Sequence, residues 1–228
     1  MTLTIVIKRR TAPDAKPYFQ QFCYEGDGRI TVAEWLREVN RTEKARERIV
    51  WECGCLEKKC GACAMRINGR PALACSVFLR DVAAKYRILL EPLSKFPVIK
   101  DLMVDRSVMW DNLKHMRIWM EKAEWTDYCW DRELQYQAGQ CLQCGCCLEI
   151  CPNFVAGGMF AGAAGMIAAY KATEQSEREE HRYEMMREYQ KRFFRGCSQS
   201  LSCQSVCPMK LPLDVIQARA NAHAVWEK

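Results

Sequence analysis

The chain has 228 residues, of which 49% are hydrophobic and 27% charged, enough to bury one or two cores without help from disulfides. Fifteen cysteines stand against only three histidines, and at this length a secreted disulfide scaffold is a poor match. The opening MTLTIVIKRRT carries no apolar run after its basic pair, so neither a secretory leader nor twin-arginine export is expected, and the cysteines read as metal ligands in a reducing compartment.

Residues 3–9, LTIVIKR, are β-branched and predict a strand, and residues 16–24, KPYFQQFCY, predict a second after a Pro-containing turn. Thr31 with Glu34 makes a capping box for a helix over TVAEWLREVN, whose Val32, Trp35, Leu36 and Val39 share a face. AMRI-NG-RPALAC, residues 64–75, predicts a type I′ hairpin turning on Asn68-Gly69. Tyr86 to Leu90 predicts a further strand, and PLSKFPVIKD, residues 92–101, reads as a linker. Beyond it helices are predicted at residues 107–124, 161–172, 173–194 and 213–226. The uncharged run 153–170 is near spanning length, but its Gly and Ala content reads as a buried helix and not a membrane span. The expected fold class is α+β, with a small β-rich domain over 1–98 and an all-helical domain over 99–228.

Three cysteine blocks dominate the chain. Cys55-x4-Cys60-x2-Cys63, followed by Cys75, has the plant-type ferredoxin spacing for a 2Fe–2S centre. Three thiolates must converge from one tight loop, which Gly54 and Gly61 allow to turn closely. Cys53 fits the spacing less well and is the alternative to Cys55. Cys141-x2-Cys144-x2-Cys147-x3-Cys151-Pro152 is the bacterial ferredoxin run, whose fourth cysteine serves a different cluster from the first three. Cys197-x5-Cys203-x3-Cys207-Pro208 repeats it, with Ser200 where the second block has Cys144. Crossing the fourth cysteines gives Cys141, Cys144, Cys147 and Cys207 to a 4Fe–4S centre. Only Cys151, Cys197 and Cys203 remain for the other, which points to 3Fe–4S. Serine can ligate iron through oxygen but matches it less well. Zinc is the competing reading, and the linked runs with Cys-Pro endings fit it worse.

Three oxidised thiolate-bound centres sum to a formal charge of roughly −6, which offsets the chain's net +6; nucleic-acid binding is therefore not expected. Cys23, Cys53, Cys129 and Cys146 read as buried, inert thiols. Trp110, Trp119, Trp125, Tyr128 and Trp130 read as core, the charged run at 174–192 as a solvated or subunit-facing surface, and His115, His181 and His223 carry no assigned role.

Over nearly its whole length the chain resembles the iron–sulfur subunit of succinate dehydrogenase and quinol:fumarate reductase. CLEKKCGACAMRINGRPALAC, CLQCGCCLEICP and CSQSLSCQSVCPMKLPL carry the resemblance. It implies a β-grasp plant-type ferredoxin domain followed by a helical ferredoxin domain. It implies a partner flavoprotein with FAD, where succinate and fumarate interconvert, and a membrane anchor, often with haem b, where quinone reacts. The 2Fe–2S ligands then serve the flavin end, and Cys151, Cys197 and Cys203 the quinone end. The resemblance puts the chain on the cytoplasmic face of a bacterial inner membrane, as a peripheral subunit.

Two departures matter. No Trp follows Cys151-Pro152, and Ser198 stands where the mitochondrial and enterobacterial branch has His, so that branch's ubiquinone pocket does not transfer. The CPMKLPL ending is similar to the branch anchored by a dihaem cytochrome b, often with menaquinone, which slightly favours fumarate reduction. The alternatives are a freestanding ferredoxin-like carrier and the iron–sulfur subunit of another flavin-linked dehydrogenase.

Overall fold

The apolar residues of TLTIVIKR form β1 (Thr2–Arg9), with Leu3, Ile5, Val6 and Ile7 fully buried. It lies inside a mixed sheet because both of its edges are paired. β2 (Tyr18–Glu25) runs antiparallel to it and β5 (Arg87–Glu91) parallel. Thr31 caps α1 (Val32–Arg41), its hydroxyl accepting the Glu34 N–H at 3.1 Å. The predicted apolar face of α1 is buried, and Trp35 meets Phe22 of β2 edge-on at 5.6 Å between centroids. β3 (Ala64–Ile67) and β4 (Arg70–Leu73) form the hairpin, with φ of 49° at Asn68 and 80° at Gly69, the left-handed pair a type I′ turn requires. The strand order is β2-β1-β5-β3-β4, and a short α2 (Leu79–Val82) precedes β5.

This computed structural model describes residues 1–228 apart from 43, 46, 120–130, 177, 178, 227 and 228. The chain divides into two compact units, Met1–Asp105 and Arg106–Lys228. The segment read as a linker is structured: β6 (Val98–Lys100) and β7 (Met103–Val104) make a small hairpin. Its tip is tied to β1 by an ion pair invisible to pattern reading. The Arg9 guanidinium, 2% exposed, donates to both oxygens of Asp101, 1% exposed, at 3.1 and 2.9 Å. Arg9 also donates to the carbonyls of Glu47 and Arg48, and Asp101 accepts the N–H groups of Arg10 and Val50. With every arm bonded, this pair is affordable in a core, and it carries the unit's edge past residue 98 to Asp105.

The second unit is helical: α3 (Ser107–His115), α4 (Arg132–Gly139), α5 (Cys146–Ile150), α6 (Gly162–Gln175), α7 (Glu179–Arg192), α8 (Ser202–Ser205) and α9 (Leu213–Trp226). α3 ends at His115, short of the predicted 124, and residues 120–124 lie outside the described ones. α6 starts at Gly162, so residues 153–161 are loop and not helix. Gly162 sits at φ +65°, and a Cβ there would lie 2.3 Å from Leu148 Cδ2; the small residues let α6 pack tightly against α5. The charged run does not form one solvated helix. It breaks at Ser176, and α7 turns His181, Met185, Met186 and Tyr189 inward. Trp110 and Trp119, expected in the core, are 58% and 44% exposed, while Trp125, Tyr128 and Trp130 lie outside the described residues. Among the described residues no helix is long and apolar enough to cross a membrane.

Candidate metal centres

The loop between α1 and β3 folds around its cysteines through a run of left-handed residues: Leu56 at φ 58°, Lys58 at 60° and Gly61 at 75°. Such alternation turns successive N–H groups inward, making a nest for negative charge. Cys55 Sγ accepts the N–H groups of Glu57 and Lys59 at 3.3 and 3.2 Å. Cys75 Sγ accepts that of Lys58 at 3.3 Å, and Cys60 Sγ that of Cys55 at 3.4 Å. The hairpin supplies the rest. Cys63 directly precedes β3, Cys75 lies in the 3-10 turn after β4, and the Ala74 N–H bonds the Cys63 carbonyl at 3.1 Å. Two N–H donors hold the Cys55 thiol down to about 7, whereas burial pushes Cys63 up to about 12. Cys53 is exposed, as is Cys23, so both depart from the expectation of burial; Cys129 lies outside the described residues.

In the helical unit, Cys141, Cys144, Cys147 and Cys207 line one cavity whose other walls include Leu142, Ile167, Met209, Leu211 and Leu213. Gln143, at φ 48°, and Gly145, at φ 86°, bend the chain so that Cys147 falls in the first turn of α5. Burial pushes Cys141 up to about 11 and Cys147 well above the usual thiol range, with the neighbouring cysteines adding to both. Cys146 is fully buried against Cys144.

Cys151, at the end of α5, approaches Cys197, after the 3-10 turn Phe194–Gly196, and Cys203, on α8. The Cys203 thiol is raised by burial first and then by the charges of Cys151 and Cys197. Ser200 is exposed, and its hydroxyl faces that of Ser202 at 3.2 Å. The fourteen cysteines among the described residues are all free thiols.

The donor sets fit iron–sulfur clusters. Among the described residues thiols neighbour one another at each place, backbone N–H groups point at the sulfurs of Cys55, Cys75 and Cys197, and apolar side chains line most of the helical cavity. The residues that pattern reading missed are Arg9, Asp101 and Gln217. The last was legible as the one amide on the buried Leu213–Ile216–Ala220–Ala224 face of α9.

Residues 4–111 match a 2Fe–2S iron–sulfur cluster binding domain, and residues 137–211 match a 4Fe–4S dicluster domain. The chain is 31% identical to the succinate dehydrogenase iron–sulfur subunit of Bacillus subtilis, covering 96% of this chain and 91% of that one. It is also 31% identical to the fumarate reductase iron–sulfur subunit of Wolinella succinogenes, over 87% and 86%. The chain belongs to the iron–sulfur subunits of the succinate dehydrogenase and fumarate reductase family. A structure of the Mycobacterium smegmatis Sdh1 complex in the apo form shares its fold, with a TM-score of 0.75 over 99% of this chain and 97% of that one at 19% identity. The family's α+β arrangement, a 2Fe–2S ferredoxin domain with a mixed sheet before a helical 4Fe–4S domain, is thus the one found here.

Proposed function

We propose that this chain relays single electrons between FAD in a partner flavoprotein and quinone at a membrane anchor, with fumarate reduction by menaquinol slightly favoured. Cys55, Cys60, Cys63 and Cys75 hold the 2Fe–2S centre, Cys141, Cys144, Cys147 and Cys207 the 4Fe–4S centre, and Cys151, Cys197 and Cys203 the 3Fe–4S centre. What supports this reading is that Cys55, Cys60, Cys63 and Cys75 neighbour one another around one loop, that Cys141, Cys144, Cys147 and Cys207 line one cavity, and that Cys203 lies near Cys151 and Cys197, with the Ser200 hydroxyl facing that of Ser202. When bound, each centre supplies one-electron transfer and no acid–base chemistry. The chain's own residues hold the sulfurs, exclude water and aim N–H groups at them. The substrate site belongs to the flavoprotein. CPMKLPL, the missing Trp after Pro152 and Ser198 support a dihaem cytochrome b anchor. A peripheral position on the cytoplasmic face of a bacterial inner membrane goes with that assembly.

The test is anaerobic purification of the native complex with iron analysis and redox-titrated EPR. About nine irons per chain are expected, the sum of the three stoichiometries, together with flavin and haem on partner chains. Ser200→Cys is expected to add a fourth iron to the third centre and abolish its oxidised-state signal. Absence of iron overturns the reading, and a stable monomer that binds no flavoprotein turns it toward a freestanding carrier.

A further inference from the structure

Gln217 lies on α9 among Leu213, Ile216, Ala220 and Ala224, and it is only 6% exposed. An amide in such surroundings is unfavourable unless its hydrogens find partners. Its Nε2 donates to Cys197 Sγ at 3.6 Å, and the same sulfur accepts the Gln199 N–H at 3.4 Å. The internal repeat sharpens the point. Gln143 and Gln199 occupy equivalent places, two residues after the first cysteine of their blocks, at φ 48° and 55°. Gln143 sends its own Nε2 to Cys141 Sγ at 3.6 Å, and to the Ala164 carbonyl at 3.3 Å. Gln199 is exposed, and the corresponding donor to Cys197 comes from α9 instead. One side-chain amide thus meets the first sulfur of each of the two repeated blocks, delivered by two different elements.

We propose that Gln217 is a positioning residue that raises the reduction potential of the third centre by donating its amide N–H to the Cys197 thiolate. The inference rests on the assignment of Cys151, Cys197 and Cys203 to that centre. The half-reaction adds one electron to the centre from an external reductant, and no bond of Gln217 forms or breaks. The added negative charge spreads onto the ligand sulfurs, where an N–H dipole stabilises the reduced state more than the oxidised one. Removing the donor therefore lowers the potential.

The experiment is a redox-titrated EPR comparison of the whole complex bearing wild-type chain, Gln217→Leu or Gln217→Met, the second unbranched and close to glutamine in length. Gln143→Leu serves as the matched control on the other sulfur. Both Gln217 variants are expected to lower the reduced-to-oxidised ratio of the third centre about tenfold at fixed potential, equivalent to about 59 mV for one electron. The 4Fe–4S potential should hold. Gln143→Leu should do the reverse. An unchanged potential in both Gln217 variants, equal shifts at every centre, or loss of the third centre from both overturns the inference. Absence of a three-iron signal in the wild-type complex is a different failure, that of the cluster assignment.

Discussion

The loop around Cys55 and the cavity around Cys147 hold sulfur by opposite means. The loop is near the surface and uses backbone: left-handed residues at 56, 58 and 61 turn N–H groups onto the thiolates. The cavity uses burial among Leu, Ile and Met side chains, which pushes Cys141 and Cys147 toward the neutral form, while a hydrogen bond from Cys146 holds Cys144 down to about 7. The loop leads into the β3–β4 hairpin of the five-stranded sheet. The helical unit has sulfurs where a core would have hydrocarbon, so its packing and its metal are one problem. The hydrophobic cluster of that unit includes Cys141, Cys147, Cys197, Cys203 and Cys207 along its rim.

Removing iron should separate the two regions most. Structural metal sites contribute on the order of 10 kcal/mol to small metal-dependent folds, and α5 and α8 are too short to stand alone. Hydrogen exchange of the chelated chain should show β1, β2 and β5 still protected and α5, α6 and α8 exchanging freely; equal protection in both units would break the comparison. Reloading must displace thiol protons, so iron uptake should improve as pH rises. The apo loop has its own pH signature. Cys63 stays protonated to about 12 when folded, against an ordinary 9.0, so its contribution is full below pH 9 and is lost between 9 and 12. Cys55 runs the other way: its thiol is lowered to about 7, and its contribution fades as pH falls from 9 through 7. Denaturant midpoints of the apo chain across this range check both signs.

Arg9→Ala or Asp101→Ala should come next in size. Each strands a buried charge, at a cost of about 3–5 kcal/mol. The Glu47 and Arg48 carbonyls and the Val50 N–H that lead into the cluster loop would lose their partners as well. Chemical denaturation should report the loss in the N-terminal unit. The double variant Arg9→Met with Asp101→Leu should recover part of it, since the penalty lies in the unpaired charge.

Gly162→Ala tests the helical side. A Cβ there meets Leu148, and the residue must hold φ +65°, so about 1–3 kcal/mol should be lost. Because Leu148 lies between Cys147 and Cys151 on α5, the variant should also load iron less completely. A drop in stability with full iron content would show that packing and metal are less entwined than proposed.

The local signals were legible where one residue type determines one conformation. Asn68-Gly69 requires a type I′ turn, Thr31 an N-cap, and cysteine spacing a convergent loop. What stayed hidden depends on contacts distant in sequence. Arg9 looked like the charged end of a strand because Asp101, 92 residues away, is its partner. Residues 92–101 looked like a linker because their prolines outweighed the burial of Leu93, Phe96 and Asp101. Trp110 was read as core, yet it lies on the surface of α3. Gln217 carried a local signal, an amide on the otherwise apolar face of α9, but nothing near it in sequence marks its sulfur partner.

Thr31→Ala carries the smallest expected effect and probes the loop's independence most cleanly. The hydroxyl satisfies one N–H of the first turn of α1, and its loss should cost about 1 kcal/mol. α1 covers the sheet through Trp35, Leu36 and Val39 and supplies no cysteine. If the loop's N–H cradle is set by its own left-handed residues, the variant should melt earlier while keeping the visible spectrum and potential of the 2Fe–2S centre. A spectral or redox change from so remote a deletion would mean that the loop borrows its geometry from the helix, and the contrast between a backbone-built site and a packing-built one would fall.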